Sequence, residues 1–304
     1  MSESPFLSVY GHVTIDQIIS LKEFPAINES VDVVSKKTSL GGTGTNIAVS
    51  AARLGVPTAI CAFVGGDFPP EFMSEMESSG LDLRDFRKVP HMETSQALVF
   101  NNSSLEQKVV FHQGPQGCAG SLGVRLTDMA RLSRHAHFCT GEPAYYISIM
   151  REVAGPGREI SVDPSQEVYK MWSRESLEAA LSLSDALFCN EYEAKVIERL
   201  LGISDVMEVD KRLVVRTEGA RGSTAKIDGE IARIPAIRGD GFMDATGAGD
   251  AYRAGFYAGL YNGYSERDSL AIASAASSFV VEKVGALAGA PTWEAALKRA
   301  RELL

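Results

Sequence analysis

Short apolar runs with polar or glycine tips alternate with helix-length stretches along most of this chain, and that alternation narrows the fold more than any other feature. F-L-S-V-Y (6–10), T-A-I-C-A-F-V (58–64), H-A-H-F-C-T-G (135–141), E-I-S-V-D-P (159–164), D-A-L-F-C-N (185–190) and K-R-L-V-V-R-T-E-G (211–219) each read as a buried strand, and most of them lead into a helix. Repeated strand–helix units of this length predict an α/β fold: a central, mostly parallel sheet with helices on both faces. The 304 residues, 45% hydrophobic, suffice for one large core, so residues 1–304 are expected to form one α/β domain. Two stretches stand outside the alternation. Residues 15–39 contain a β-branched, half-alternating run, and 92–113 contain Q-A-L-V-F and K-V-V-F-H joined by N-N-S-S, which reads as a hairpin. Together they predict a small accessory β lid.

The chemistry concentrates in Gly239-Asp240-Gly241-Phe242-Met243-Asp244-Ala245-Thr246-Gly247-Ala248-Gly249-Asp250. Beyond it Tyr252, Phe256 and Leu260 recur every four residues, and Gly263 marks the end of that helix. The glycines therefore sit at a helix start, where N–H groups lack intrahelical partners and the dipole is positive. Such a turn cradles anions. A carboxylate beside an anion makes sense when a hydroxyl must come between them. Asp250 would orient that hydroxyl and take its proton, while the amides of Gly247, Ala248 and Gly249 hold the moving phosphoryl charge. With an ordinary pKa near ~4, it is expected to take the proton late. A helix start with a first-turn Asp favoured by the dipole accounts for the same residues.

Polar residues fall at other strand tips too. Asp16, in G-H-V-T-I-D, follows the first strand and suits two neighbouring sugar hydroxyls, or else caps a turn. Leu40-Gly41-Gly42-Thr43-Gly44-Thr45-Asn46 opens a helix with glycines that admit a ligand, and Asn46 both donates and accepts. Asn190 and Glu193, in N-E-Y-E, form a capping box, which on the residues alone is a sufficient reading.

D-A-T-G-A-G-D-A-Y-R-A-G-F resembles the C-terminal signature of the ribokinase-like (pfkB) family of carbohydrate and nucleoside kinases, and further motifs match in the same order over nearly the whole chain. The resemblance implies a ribokinase-like fold whose lid covers the acceptor. It implies that Asp16, Gly42 and Asn46 bind the acceptor sugar, that Asp250 is the catalytic carboxylate, and that Asn190 and Glu193 act on Mg²⁺ through water. Thr217, Gly219 and Gly222, in T-x-G-x-x-G-S, would line the donor nucleotide with Asn190. Arg253 is a candidate for substrate or phosphate, with a structural ion pair as the alternative. Arg216 departs from the family pattern, which has an apolar residue there. G-D-A-Y-R-A-G-F, V-D-P-S-Q, T-G-E-P and F-V-V-E-K look most like archaeal-type nucleoside kinases.

The implied activity is transfer of the ATP γ-phosphoryl group to a nucleoside 5′-hydroxyl. Ribokinase and sugar-phosphate kinases, ribose-1-phosphate kinase included, stay open. So do ADP as donor, a monovalent cation, a homodimer through the lid strands, and a non-catalytic sensor. A phosphorylated acceptor would call for lid cations such as Lys36 and Lys37.

Composition excludes other classes. A net charge of −9 and the lack of a basic run argue against nucleic acid as partner. No G-x-x-x-x-G-K-[ST] occurs, and no apolar run approaches the ~20 residues of a membrane span. Cys61, Cys118, Cys139 and Cys189 form no C-x-x-C pair and read as reduced thiols of a cytoplasmic protein.

Overall fold

The structure is a computed structural model that describes residues 4–304 except Leu105, in the N-N-S-S hairpin, and Asp240, in the glycine-rich stretch. The chain enters the main sheet with β1 (Leu7–Tyr10) and leaves it for β2 (Thr14–Leu21) and β3 (Val33–Gly41). It returns through α1 (Thr43–Arg53) to β4 (Thr58–Gly65), α2 (Pro70–Ser78) and β5 (Phe86–Val89). A second excursion makes β6 (Ser95–Asn101) and β7 (Gln107–His112). After α3 (Asp128–Leu132), strand–helix repeats follow: β8 (His135–Phe138), α4 (Pro143–Val153), β9 (Glu159–Val162), α5 (Arg174–Ser182), β10 (Ala186–Asn190), α6 (Glu191–Leu201) and β11 (Leu213–Thr217). The chain closes with the β12 (Ser223–Ile227) and β13 (Glu230–Ile234) hairpin, then α7 (Ala248–Tyr261), α8 (Glu266–Val280) and α9 (Trp293–Ala300).

The main sheet has the order β13-β12-β11-β10-β9-β8-β1-β4-β5. It is parallel from β5 to β11, and the β12–β13 hairpin adds an antiparallel edge. Apolar residues cover both faces, which is why the strands read as continuous hydrophobic runs. Ile60, Ala62 and Val64 of β4 join one core with α1 and α7, while Ala59, Cys61 and Phe63 join the opposite core with α4. Order reverses between neighbours β1 and β8, and ligand crevices open at such a switch point beyond the strands' carboxyl ends.

Strands β3-β2-β6-β7 form a separate four-stranded sheet with one parallel pair, β2 with β6. It stands over the crevice. Helix α7 packs on α8 through its small residues: a Cβ at Gly255 would lie 2.8 Å from Ala273 Cα. The four cysteines are free; Cys61, Cys139 and Cys189 are buried and Cys118 half-buried.

Candidate active site

Two adjoining clefts open at the carboxyl ends of the strands. The larger, about 700 Å³, lies under the lid and is walled by Asp16, Gly42, Asn46, Gly247 and Asp250 among others. The second, about 480 Å³, runs along the tips of β9, β10 and β11 and includes Thr217, Gly219, Asn190, Gly249 and Arg253. Ser165, Asn190, Glu193 and Asp250 belong to both walls, so the clefts meet at Asp250.

The larger cleft, which the family resemblance assigns to the acceptor, is built by glycines. Gly42 caps α1 with φ 96°, and a Cβ there would meet the His12 carbonyl oxygen at 2.3 Å. A Cβ at Gly41 would strike an Asp16 carboxylate oxygen at 2.1 Å. The loop therefore lies flat against β2 and carries Asn46 into the first turn of α1. Asn46 Nδ2 donates to Asp250 Oδ2 at 2.8 Å, across 204 residues of sequence. Asn46 Oδ1 is buried without a partner among the described residues. Asp16 Oδ1 accepts from Thr14 Oγ1 at 2.5 Å, and burial raises its carboxyl above the usual range.

Gly247, at φ 79°, is the N-cap of α7; a Cβ there would lie 2.4 Å from that of Ala286. The three-amide cradle needs one correction. Ala248 N–H already donates to Ala245 O at 3.1 Å, closing the turn, while Gly247 and Gly249 N–H carry no hydrogen bond among the described residues. Free amides at this helix start thus come from Gly247, Gly249 and Asp250, whose own N–H likewise has no partner among the described residues. The expected ordinary acidity of Asp250 is corrected as well. Burial pushes its carboxyl up to about 6, with Asp163 and Asp16 adding to the rise and the Asn46 hydrogen bond and Arg253 opposing it.

In the second cleft, which the family resemblance assigns to the donor, Asn190 Oδ1 accepts from Tyr192 N at 2.9 Å and Glu193 N at 2.8 Å, and Glu193 Oε2 accepts from Asn190 N at 2.7 Å. The capping box is complete. It leaves only the Asn190 amino group to face the cleft, a donor that suits a phosphate oxygen and not water held on a metal. Glu193 keeps one carboxylate oxygen. Burial, then the nearby Asp163, pushes its carboxyl up to about 7.

Thr217 and Gly219 line this cleft, but Gly222 does not. It is buried at φ 94°, and a Cβ would meet Ile234 O at 2.1 Å, so its glycine serves the β13 crossing behind the turn. Arg253 stands in the donor wall and is absent from the acceptor wall. Its Nε donates to Asp163 Oδ2 at 2.7 Å and its Nη1 to Gly249 O at 3.2 Å, tying the start of α7 to the tip of β9. Arg216 is paired locally, with Glu218 and with Asp205. Lys36 and Lys37 are exposed on β3 and outside the acceptor wall.

Sequence reasoning missed His12 and Glu167, buried in the acceptor wall at 1% and 2% exposure. It also missed the β12–β13 hairpin, although Asp228-Gly229, at φ 48° and 89°, is a two-residue turn of the kind the Asp-Gly pair signals.

An α/β sheet whose switch-point crevice joins the glycine loop that carries Asn46 to a second glycine turn and a carboxylate is the architecture of ribokinase-like small-molecule kinases. The chain belongs to the pfkB family of carbohydrate kinases, whose model matches residues 4–293. It is 34% identical to a nucleoside kinase of Methanothermobacter thermautotrophicus over 98% of this chain and 96% of that one. It is 30% identical to a nucleoside kinase of Thermoplasma acidophilum over 84% and 83%. The crystal structure of Methanocaldococcus jannaschii nucleoside kinase superposes with a TM-score of 0.91 at 26% identity, covering 99% and 100% of the two chains. The protein is a phosphotransferase.

Proposed function

We propose that this kinase transfers the γ-phosphoryl group of ATP to the 5′-hydroxyl of nucleosides. The observation that carries the reading is the Asn46–Asp250 hydrogen bond, which joins the acceptor loop to the glycine turn at one point. The relatives' names supply the nucleoside. A cleft of about 700 Å³ has room for a base as well as a sugar. Its wall holds one formal cation, Lys170, which favours an uncharged acceptor over a sugar phosphate.

In this mechanism Asp16 and the unpartnered Asn46 Oδ1 hold ribose hydroxyls. Asn46 fixes one oxygen of Asp250 and leaves the other for the 5′-hydroxyl proton. The Gly247 and Gly249 amides meet the charge on the transferring group, which in a loose transition state resides on its peripheral oxygens. The donor wall carries five carboxylates against two guanidinium groups, an arrangement that repels free ATP and fits a nucleotide neutralised by Mg²⁺. Glu193 would hold that ion through water, since Mg²⁺ keeps much of its hydration shell and binds few protein oxygens directly. Bound there, the ion would neutralise charge on the phosphates.

The lid edges β3 and β7, unpaired among the described residues, suit pairing with a second copy of the chain. Four free thiols suit a reducing, cytoplasmic setting.

The test is a panel of nucleosides, ribose and ribose 1-phosphate, each with Mg-ATP or Mg-ADP. The expected result is one nucleoside 5′-monophosphate per ADP formed. Preferential phosphorylation of ribose or ribose 1-phosphate would sink the reading.

A further inference from the structure

Three residues other than glycine take a positive φ among the described residues: Asn28, Ser165 and Asp228. Asn28 and Asp228 lie in exposed turns and are of the types that tolerate the left-handed region. Ser165, at φ 52°, shares neither excuse. It is half-buried just beyond β9, where an L side chain carries a steric penalty that glycine would escape. The chain on both sides imposes this conformation. Asp163 N–H donates to Phe138 O at 2.8 Å, and Asp163 Oδ2 accepts from Arg253 Nε at 2.7 Å, which fixes the strand end. Pro164 locks its own φ at −57°. Two residues past Ser165, Glu167 is 2% exposed and its Oε2 accepts from Gly141 N–H at 2.6 Å.

The strained residue stands where the two clefts meet. Ser165 lines both, together with Asn190, Glu193 and Asp250. Its hydroxyl makes no hydrogen bond among the described residues. Backbone strain held in place at a cleft marks a side chain the fold is positioning. Glu193 and Asp250 bring carboxylates to this junction, whereas Ser165 and Asn190 bring donors. The glycine amides arrive from the start of α7, with Gly247 in the wall of the larger cleft and Gly249 in that of the second. A phosphoryl group in a loose transition state carries its charge on three peripheral oxygens, so it has room for a donor from the β9 side as well.

We propose that Ser165 is a catalytic residue whose hydroxyl donates to a peripheral oxygen of the phosphoryl group as that group passes from one cleft to the other. This rests on the proposed assignment of donor and acceptor to the two clefts, and not on which acceptor is used. In the step, the bond from the γ-phosphorus to the oxygen left on ADP breaks and a bond to the acceptor oxygen forms. The acceptor's proton goes to Asp250, and Ser165 keeps its own. A contact made in transit strengthens towards the transition state, so it acts on kcat and little on binding.

The test uses the full-length protein with Mg-ATP and inosine, and three variants that separate the hydroxyl from the backbone. Ser165→Ala removes the oxygen and keeps the strain; Ser165→Gly removes both; Ser165→Thr keeps the oxygen and worsens the strain, because a β-branched residue fits the left-handed region poorly. Ser165→Ala and Ser165→Gly should lose about 10- to 100-fold in kcat, with KM for inosine and Mg-ATP within about threefold. Ser165→Thr should keep kcat within about threefold. Thermal melting should run the other way, with Ser165→Gly no lower than wild type and Ser165→Thr below it. A purely structural role would move activity and melting together. Near wild-type kcat in Ser165→Gly, a loss confined to KM, or equal kcat losses in Ser165→Gly and Ser165→Thr each overturn the assignment. If ribose proves the better acceptor, the nucleoside reading falls, and the same variants with ribose still decide the role of Ser165.

Discussion

Burial holds the Asp250 carboxyl protonated to higher pH than a solvated aspartate, and its pKa of about 6 bears on catalysis and stability in opposite directions. As a proton acceptor it must be ionised, so kcat/KM should fall as pH drops through about 6, and Asp250→Asn should reduce turnover by at least ~10². Steady-state rates between pH 5 and 8 check both. A variant retaining near wild-type turnover would remove the mechanism. For stability, the folded-state pKa lies above the ordinary aspartate value of 3.8, so the folded protein binds the proton more tightly than the unfolded chain does. This contribution is present below pH 4 and is lost as pH rises through about 6. Asp250→Asn should therefore melt higher than wild type at pH 8, with the difference vanishing below pH 4. Arg253 presents the converse case. At 5% exposure, it is bonded to Asp163, itself 1% exposed. Arg253→Met strands that carboxylate and should destabilise by about 3–5 kcal/mol, part of which Asp163→Leu in the same chain restores. Denaturant midpoints of the single and double variants decide it.

At the scale of elements, the site depends on how closely α7 can approach α8. Alanine in place of a helical glycine ordinarily stabilises by about 0.5–1 kcal/mol. At Gly255 the new Cβ would lie 2.8 Å from both Ala273 Cα and Ala276 Cβ, closer than real contacts permit. Overpacking of this kind costs about 1–3 kcal/mol, so the clash wins and Gly255→Ala should lower stability. It should also lower kcat, because α7 carries Asp250 at its start. The small residues of α7 were legible as a close-packing surface because helical spacing displays them within sixteen residues. The alternation of strands and helices, the lid hairpin and the cap at Asn190 were legible for the same reason: each is a local pattern. What the sequence hid is what forms between distant residues. The Arg253–Asp163 pair spans 90 positions, and the raised carboxyls of Asp250 and Glu193 arise from burial that no local pattern encodes. Arg216 was ambiguous for the same reason, since Asp205 lies eleven positions away. Gly222 misled because a glycine that admits a ligand and one that admits a crossing strand look alike in sequence.

Across the whole molecule, the two sheets differ in how much holds them. Strands β4 and β8 are buried along their full length, whereas β3 is exposed over its first six residues and β7 over five of six. Backbone hydrogen bonds backed by few buried contacts open at lower free energy than those in a core. In the unliganded protein, amides of β3 and β7 should exchange at least ~10-fold faster than those of β4 and β8 by deuterium uptake. The acceptor cleft is walled partly by the lid residues Asp16, Ala97, Val109 and Phe111, on β2, β6 and β7. A nucleoside filling it adds the missing contacts, so saturating inosine should slow exchange in those three strands and leave β8 to β10 unchanged. In the proposed mechanism ATP binds along β9 to β11, so ATP alone should leave the lid pattern as it was. Uniform protection of both sheets without ligand would mean that the lid is held by contacts other than those described. Equal protection of the lid by ATP alone would mean that the two clefts are coupled before the acceptor arrives.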